Sequence, residues 1–253
     1  MKITLICNCG LVFSSGETCL LIDALTQELA PFYRAPESVR QEIVTGTGAY
    51  EKTCGLLFTH LHPDHYDKEA AQAFAQYHPR AALYVPNRRE LPPERLTVGG
   101  FTVELHRVRH TQVAGYGKST VDAMIISAEG KSVYVASDSA PEVSLHESVL
   151  HGRRMDAAFW NGEMLLYKPA KRFAGSRRKI SSIIFRVTRR TAFGGSWSGC
   201  AGAILQSWKP SACWEITHPK SSCNKECRPG KPGRHLKSYS ATDQLSPSKK
   251  TEA

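Results

Sequence analysis

The sequence lacks an apolar run long enough to cross a membrane, which takes about 20 residues in a helix. Its first residues also lack the basic stretch followed by a long apolar one that marks a secretory leader. These absences argue against a protein that spans or is exported across a membrane. We therefore expect a cytoplasmic protein with no membrane partner.

Paired Cys-x-x-Cys motifs are also missing, although the chain has eight cysteines. Structural zinc modules use such pairs at short spacing, and the cysteines and histidine at 213–227 do not have it. Cys7 and Cys9 lack a second pair, so we interpret them as small, partly buried residues. No spacing in the first half requires a disulfide, and reduced thiols fit a cytoplasmic protein.

The net charge of +10 belongs to one part of the chain. Residues 1–168 contain 16 Lys and Arg against 19 Asp and Glu, a net of −3. Residues 169–253 contain the other 17 basic and 4 acidic side chains, a net of +13. An argument for nucleic-acid binding therefore applies to the basic C-terminal segment alone.

One short segment, Thr59 to Asp67, concentrates side chains that bind metals. It holds three histidines and two aspartates. The apolar stretch 55–58 before it predicts a buried strand, and residues 68–77 after it predict a helix. Loops between a strand end and a helix start are where α/β proteins usually place their chemistry.

The spacing in this segment suits two metal ions. His60 and His62 point the same way if the segment is extended, so both can reach one ion. Asp64 and His65 follow the turn at Pro63 and can face a second ion. Imidazole and carboxylate ligands suit Zn²⁺, Mn²⁺ or iron. Helix capping would explain one acid, which we predict to be Asp67, and leaves the three histidines unexplained.

The pattern His-x-His-x-Asp-His at 60–65, after an apolar strand, resembles the signature of the metallo-β-lactamase superfamily of metal-dependent hydrolases. The resemblance covers about the first 165 residues. It implies an α/β fold, a four-layer αβ/βα sandwich with the metal site at one edge between the two sheets. It also implies two divalent metal ions, with zinc as the first choice and manganese or iron as alternatives.

The resemblance extends to a histidine at the end of a later strand. His110 ends the strand predicted at 101–108, where the superfamily places the third ligand of the first metal. Many members have Gly-His-Thr-x-Gly there, whereas Arg109 and Gln112 stand in this sequence. The departure resembles the more distant branch that includes sugar-phosphate lactonases and phospholipid-cleaving enzymes. His106 faces the same side of a regular strand, so it stays a competitor for this role.

An aspartate further along completes the implied ligand set. Asp138 lies in Ser-Asp-Ser, where superfamily members commonly have Gly-Asp-Ser or Gly-Asp-Thr, so Ser137 replaces a glycine. The resemblance implies that Asp138 bridges the two metals, and that Asp23 is the acid that ends an early strand. The first ion would be held by three histidines and the second by Asp64, His65 and Asp138. The three histidines are His60, His62 and His110.

Apolar periodicity predicts the remaining elements of the first 165 residues. Strands are predicted at 2–6, 11–13, 19–23, 82–86, 122–127, 131–136 and 155–161. Helices are predicted near 36–44 and 141–151. This pattern describes one hydrolase domain over residues 1–165.

The periodicity fails from about residue 166, and three interpretations of 166–253 stay open. The segment is a divergent basic domain, a disordered basic extension that binds polyanions, or the product of a reading-frame shift near residue 165. We favour the third, because charge and pattern change together. A late metal-binding histidine is expected here, and His218 and His235 are both weak candidates.

The sequence thus predicts a metal-dependent hydrolase that uses a metal-activated hydroxide on a small ester, lactone, amide or phosphodiester. Asp64 is the predicted catalytic residue, which orients the nucleophile or carries its proton. Two alternatives remain: an inactive or truncated member of the superfamily, and a nucleic-acid-binding or processing protein that acts through the basic segment. The substrate and the oligomeric state do not follow from the sequence.

Overall fold

Two β-sheets flanked by α-helices form the described part of this computed structural model. The described residues are 1–30, 32–111, 119–165, 173, 180–186, 204–205 and 216–217. All of them lie within the compact unit Met1–Lys220. None of the helices in these ranges is long and apolar enough to cross a membrane.

The strands and helices follow each other in chain order with short connections. The helices are α1 (Glu37–Thr45), α2 (Lys68–Tyr77) and α3 (Val143–Leu150). The strands of the first half are β1 (Lys2–Leu5), β2 (Leu11–Ser15), β3 (Thr18–Ile22), β4 (Thr53–Leu57), β5 (Ala82–Tyr84) and β6 (Arg95–Val98). The later strands are β7 (Phe101–Arg109), β8 (Thr120–Ala128), β9 (Lys131–Val135), β10 (Met155–Asn161), β11 (Ile180–Arg186), β12 (Ile204–Leu205) and β13 (Ile216–Thr217).

The two sheets are mixed and divide the chain between them. The first has the order β13-β1-β2-β3-β4-β5, with β3, β4 and β5 parallel. The second has the order β12-β11-β10-β9-β8-β7-β6, with β9, β10 and β11 parallel. The β8–β9 hairpin turns at Glu129 and Gly130, which both have the positive φ angles that a two-residue turn requires.

Apolar side chains from both sheets meet in a central core. Phe13, Leu20 and Ile22 of the first sheet are fully buried there. They pack in one cluster with residues of the second sheet such as Val103 and Met124. The alternate residues of the same strands point the other way and are also buried, so the strands read as continuous apolar runs.

The outer face of each sheet is covered by helices. Leu21 and Leu56 pack with Ile43 of α1 and Phe74 of α2. On the other side, Ile125 and Trp160 pack with Val149 and Leu150 of α3. The order is helix, sheet, sheet, helix, as the predicted αβ/βα sandwich requires.

Most elements lie where apolar periodicity predicted them, and four strands do not. The predicted helix at 68–77 is α2, and those near 36–44 and 141–151 are α1 and α3 within a few residues. No strand was predicted at β6, β11, β12 or β13. Strand β11 pairs in parallel with β10, although it lies in the segment where the pattern fails.

A buried histidine predicts how the stability of this fold depends on pH. His146 accepts a hydrogen bond from the Tyr134 hydroxyl (2.9 Å) and donates one to the Ala140 carbonyl (3.0 Å), so it is neutral. Burial lowers the pKa of His146 to about 4. Between pH 6.5 and 4 the unfolded chain binds a proton here that the folded chain does not, which removes about 3 kcal/mol of stability as the pH falls.

Chemical denaturation of wild type and His146→Gln at pH 7 and pH 4.5 measures this effect. The wild type should lose more stability than the variant over this interval. Equal losses would show that His146 does not contribute to the acid sensitivity of the fold.

Candidate metal centre

The predicted metal loop follows β4 and ends at the start of α2. Pro63 sets a turn in which the backbone N–H groups of His65 and Tyr66 both donate to the His62 carbonyl, at 2.9 and 2.8 Å. At the end of the loop, Asp67 accepts a hydrogen bond from the Ala70 N–H at 3.1 Å. The prediction that Asp67 caps the helix is therefore confirmed.

Residues of the second sheet lie next to the metal loop. His110 follows β7 and forms a bridge with Ser139, just beyond β9. The Asp122 N–H of β8 donates to the Thr59 carbonyl at 2.8 Å, which joins the start of the metal loop to the second sheet. Side chains from both sheets can therefore converge at one edge.

The six predicted ligands lie together at this edge. The ligand atoms of His60, His62 and His110 are all within 4.8 Å of one another. Those of His60, His65 and Asp138 form a second group of the same size. Asp64 lies beside them, with its Oδ2 atom 3.6 Å from His65 Nε2.

The electrostatics keep two of these histidines, His60 and His62, in the form that binds metals. Burial, together with the nearby His65, lowers the pKa of His60 well below its ordinary value. Burial and the nearby His110 lower the pKa of His62 as well. Neutral imidazole is the form that ligates a cation, so protons do not compete with metal for these two side chains at neutral pH.

The residues present fit a divalent metal. His60 Nε2 is buried and has no hydrogen-bond partner within the described ranges. A buried polar atom normally has a partner, and its position among imidazole and carboxylate groups fits a bound cation. The donor set, histidine nitrogen and carboxylate oxygen, is the one that zinc, manganese and iron accept.

Comparison with known proteins finds similarity to solved structures only. No protein-family model and no curated protein matches the sequence. Among solved structures, the metallo-β-lactamase fold protein YhfI from Bacillus subtilis is 20% identical, with a TM-score of 0.43 over 60% of this chain and 62% of YhfI. The chain thus spans less than two thirds of that protein's length.

Two further structures are similar. The short form of human tRNase Z is 11% identical, with a TM-score of 0.38 over 70% of this chain and 85% of that one. Zn²⁺-bound PqqB from Methylobacterium extorquens is 12% identical, with a TM-score of 0.40 over 70% of this chain and 76% of that one. The described residues form two sheets with helices on their outer faces, the αβ/βα sandwich that the sequence predicted. The similarities concern the fold alone.

Asp23 makes contacts with the metal loop that the sequence did not predict. It follows β3 in a left-handed conformation (φ 49°) and is buried. Its carboxylate is 2.8 Å from His65 Nδ1 and accepts hydrogen bonds from the Thr59 N–H and hydroxyl at 2.8 and 2.7 Å. This carboxylate holds the proton of His65 on Nδ1 and leaves Nε2 facing Asp64 and Asp138.

Two cysteines lie beneath the loop. Cys7 and Cys9, interpreted from the sequence as small, partly buried residues, are both buried. The Cys9 thiol donates to the Asp64 carbonyl at 2.9 Å. Cys9, Asp23 and His65 form a third group whose ligand atoms lie within 4.8 Å, but the His65 nitrogen on that side is hydrogen-bonded to Asp23.

Asp138 lies on a tightly held turn that follows β9. The Asn161 side-chain amide donates to the carbonyls of Ser137 and Ser139 at 3.0 and 2.8 Å. Asp138 Oδ2 lies 3.3 Å from His65 Nε2 and 3.9 Å from His110 Nε2. It therefore lies between the two predicted ligand sets.

His106, the competitor for the role of His110, lies away from this centre. Its Nε2 atom is 3.7 Å from Glu104 Oε2, and it belongs to none of the three groups above. The alternation that placed both histidines on one side ends with β7 at Arg109, because the chain then turns toward Ser139. His218 and His235 lie outside the described residues.

The two histidines make a matched pair of variants. His110→Ala should lower the amount of metal bound per chain, because it removes an imidazole from the first group. His106→Ala should bind as much metal as wild type. Elemental analysis of the purified variants measures the difference. Metal loss in His106→Ala with retention in His110→Ala would reverse the assignment.

Proposed function

We propose that this chain is a metal-dependent hydrolase with a binuclear centre. The observation that carries the proposal is the convergence of six metal-binding side chains from both sheets at one edge. His60, His62 and His110 would hold the first ion. Asp64, His65 and Asp138 would hold the second, with Asp138 shared between the two.

The ions would supply a Lewis acid and would lower the pKa of a coordinated water toward about 7. The protein's part is to place this chemistry. Asp23 fixes the orientation of His65, and Asn161 holds the turn that carries Asp138. Asp64, buried beside His65, would orient the attacking water or carry its proton.

The charge of the chain favours a small substrate. Residues 1–168, which carry all six proposed ligands, have a net charge of −3. The net charge of a slightly acidic domain does not favour a long polyanion as its substrate. We therefore propose a small ester, lactone, amide or phosphodiester as the substrate class, in a cytoplasmic setting.

A screen with matched metal-free and metal-loaded protein tests this proposal. Hydrolysis of at least one substrate class should appear with zinc, manganese or iron, disappear after chelation, and return when metal is restored. The His106→Ala variant, taken through the same removal and return of metal, is the positive control and should keep its activity. A metal-loaded, folded protein that hydrolyses none of the four classes would contradict the proposal.

A second candidate function rests on the charge of residues 169–253, a net of +13. This segment would bind nucleic acid without using the metal centre. Removing it is a poor test, because β11, β12 and β13 belong to the two sheets. The full chain should instead bind single-stranded RNA with an affinity that falls steeply with salt, and salt-independent or absent binding would contradict this function.

A further inference from the structure

Two hydroxyl groups join the sheets directly behind the candidate metal centre. Thr59 follows β4 of the first sheet, and Ser137 follows β9 of the second. The Ser137 hydroxyl donates to Thr59 Oγ1 at 2.7 Å, and both residues are buried. Thr59 is thus bound to the second sheet by its side chain as well as by its carbonyl, which accepts from the Asp122 N–H.

The proton positions in this network follow from a single carboxylate. The Thr59 hydroxyl has one proton, and it donates to Asp23 Oδ2 at 2.7 Å. Its oxygen is then left to accept, from Ser137 and from His60 Nδ1 at 3.1 Å. A His60 that carries its proton on Nδ1 presents the lone pair of Nε2, the buried atom that faces the centre.

Ser137 keeps this position at a conformational cost. Its φ angle is +52°, in the left-handed region that glycine adopts easily and other residues rarely do. A glycine would fit this turn with less strain but could not bond to Thr59. The hydrogen bond to Thr59 offsets this strain. The turn itself does not need a hydroxyl group, so the serine hydroxyl serves the contact with Thr59.

We propose that Ser137 is a positioning residue of the metal centre. It precedes Asp138, and its partner Thr59 precedes His60. The bond between their hydroxyls therefore ties the ligands of the second sheet to those of the first. It also keeps the Thr59 oxygen in place as the acceptor for His60 Nδ1. This inference rests on the proposed metal site.

Zn²⁺ affinity in competition with a chromophoric chelator tests the role of the hydroxyl. Ser137→Ala and Ser137→Gly both lack it, and both should bind Zn²⁺ about tenfold more weakly than wild type, as expected when a contact behind a ligand is lost. Their stabilities should differ, because glycine relieves the strain that alanine keeps. If Ser137→Gly binds Zn²⁺ as tightly as wild type and affinity changes only with stability, the proposal is overturned.

A double-mutant cycle tests the path through Thr59. Thr59→Val keeps the shape of the side chain and removes its hydroxyl. Ser137→Ala should then weaken Zn²⁺ binding when it is made in the wild-type protein. It should have no further effect when it is made in the Thr59→Val variant. Independent, multiplying losses would show that Ser137 does not act through Thr59.

Nitrogen NMR of the metal-free protein at pH 8 gives a readout without metal. His60 should carry its proton on Nδ1 in wild type and populate both tautomers in Thr59→Val. A proton on Nε2 in wild type would overturn the proposal. Failure of the wild type to bind Zn²⁺ at all would instead refute the proposed function, so the two failures are distinguishable.

Discussion

Asp138→Ala is expected to lower kcat/KM for the hydrolysed substrate by about 10³-fold, because a Lewis-acid centre contributes several kcal/mol to such reactions. Asp138 lies between the two proposed ligand sets, 3.3 Å from His65 and 3.9 Å from His110. Its loss should weaken binding on both sides. The same test on Asp64→Ala and His62→Ala should give losses of similar size with the fold retained.

Asp156→Asn is the matched control for Asp138→Ala. Asp156 is another partly buried aspartate of the second sheet, and it binds the Ser132 N–H and Lys131 away from the centre. This control should retain activity. Near-normal turnover in a folded Asp138→Ala protein would contradict the assignment, and circular dichroism of each variant shows whether the fold is kept.

Asp23→Ala is expected to destabilise the protein by about 4 kcal/mol, because it leaves several buried donors without an acceptor. These are the Thr59 N–H and hydroxyl and the imidazole of His65. The metal-free protein should show this loss in chemical denaturation. A change below about 1 kcal/mol would mean that these donors find other acceptors or water.

Asp23→Asn separates stability from metal binding at the same position. Asparagine tolerates the left-handed backbone of Asp23 (φ 49°) and keeps one acceptor oxygen, so the fold should lose less stability than with alanine. Its amide nitrogen cannot accept the His65 proton, which would favour the wrong tautomer. Metal affinity should therefore fall about 10- to 100-fold, and unchanged affinity would contradict the role given to Asp23.

The local part of the site was predictable from the sequence because it depends on short spacing. His60, His62, Asp64 and His65 share one loop between a strand and a helix, and the cap at Asp67 follows from the helix start. His110 and Asp138 come from the other sheet. Only the resemblance to a known superfamily assigned them as ligands. Spacing along the chain does not show that two residues on the second sheet lie close to a loop of the first.

The contacts that support the ligands could not be predicted from the sequence, for a different reason. Asp23, Thr59 and Ser137 meet across both sheets, and none of them belongs to a short motif that marks such a contact. His106 stayed a competitor because strand alternation is a local rule, whereas the end of β7 depends on pairing with other parts of the sheet. Strand β11 was missed because basic residues surround it.

The division of the chain at residue 165 stays a prediction. Strands β11 and β13 extend both sheets beyond it, whereas the swing in net charge from −3 to +13 sets the later segment apart. Translation of the other two reading frames of the gene tests the frame-shift interpretation. If neither of these frames continues the α/β pattern, the frame-shift interpretation is refuted.

The metal content of the purified full-length protein, measured by elemental analysis after expression with added zinc, manganese and iron, tests the central claim most directly. We predict close to two ions per chain and a clear loss in His60→Ala. A folded, monodisperse protein that holds only traces of metal would contradict the account, because the six converging side chains would then serve no metal centre.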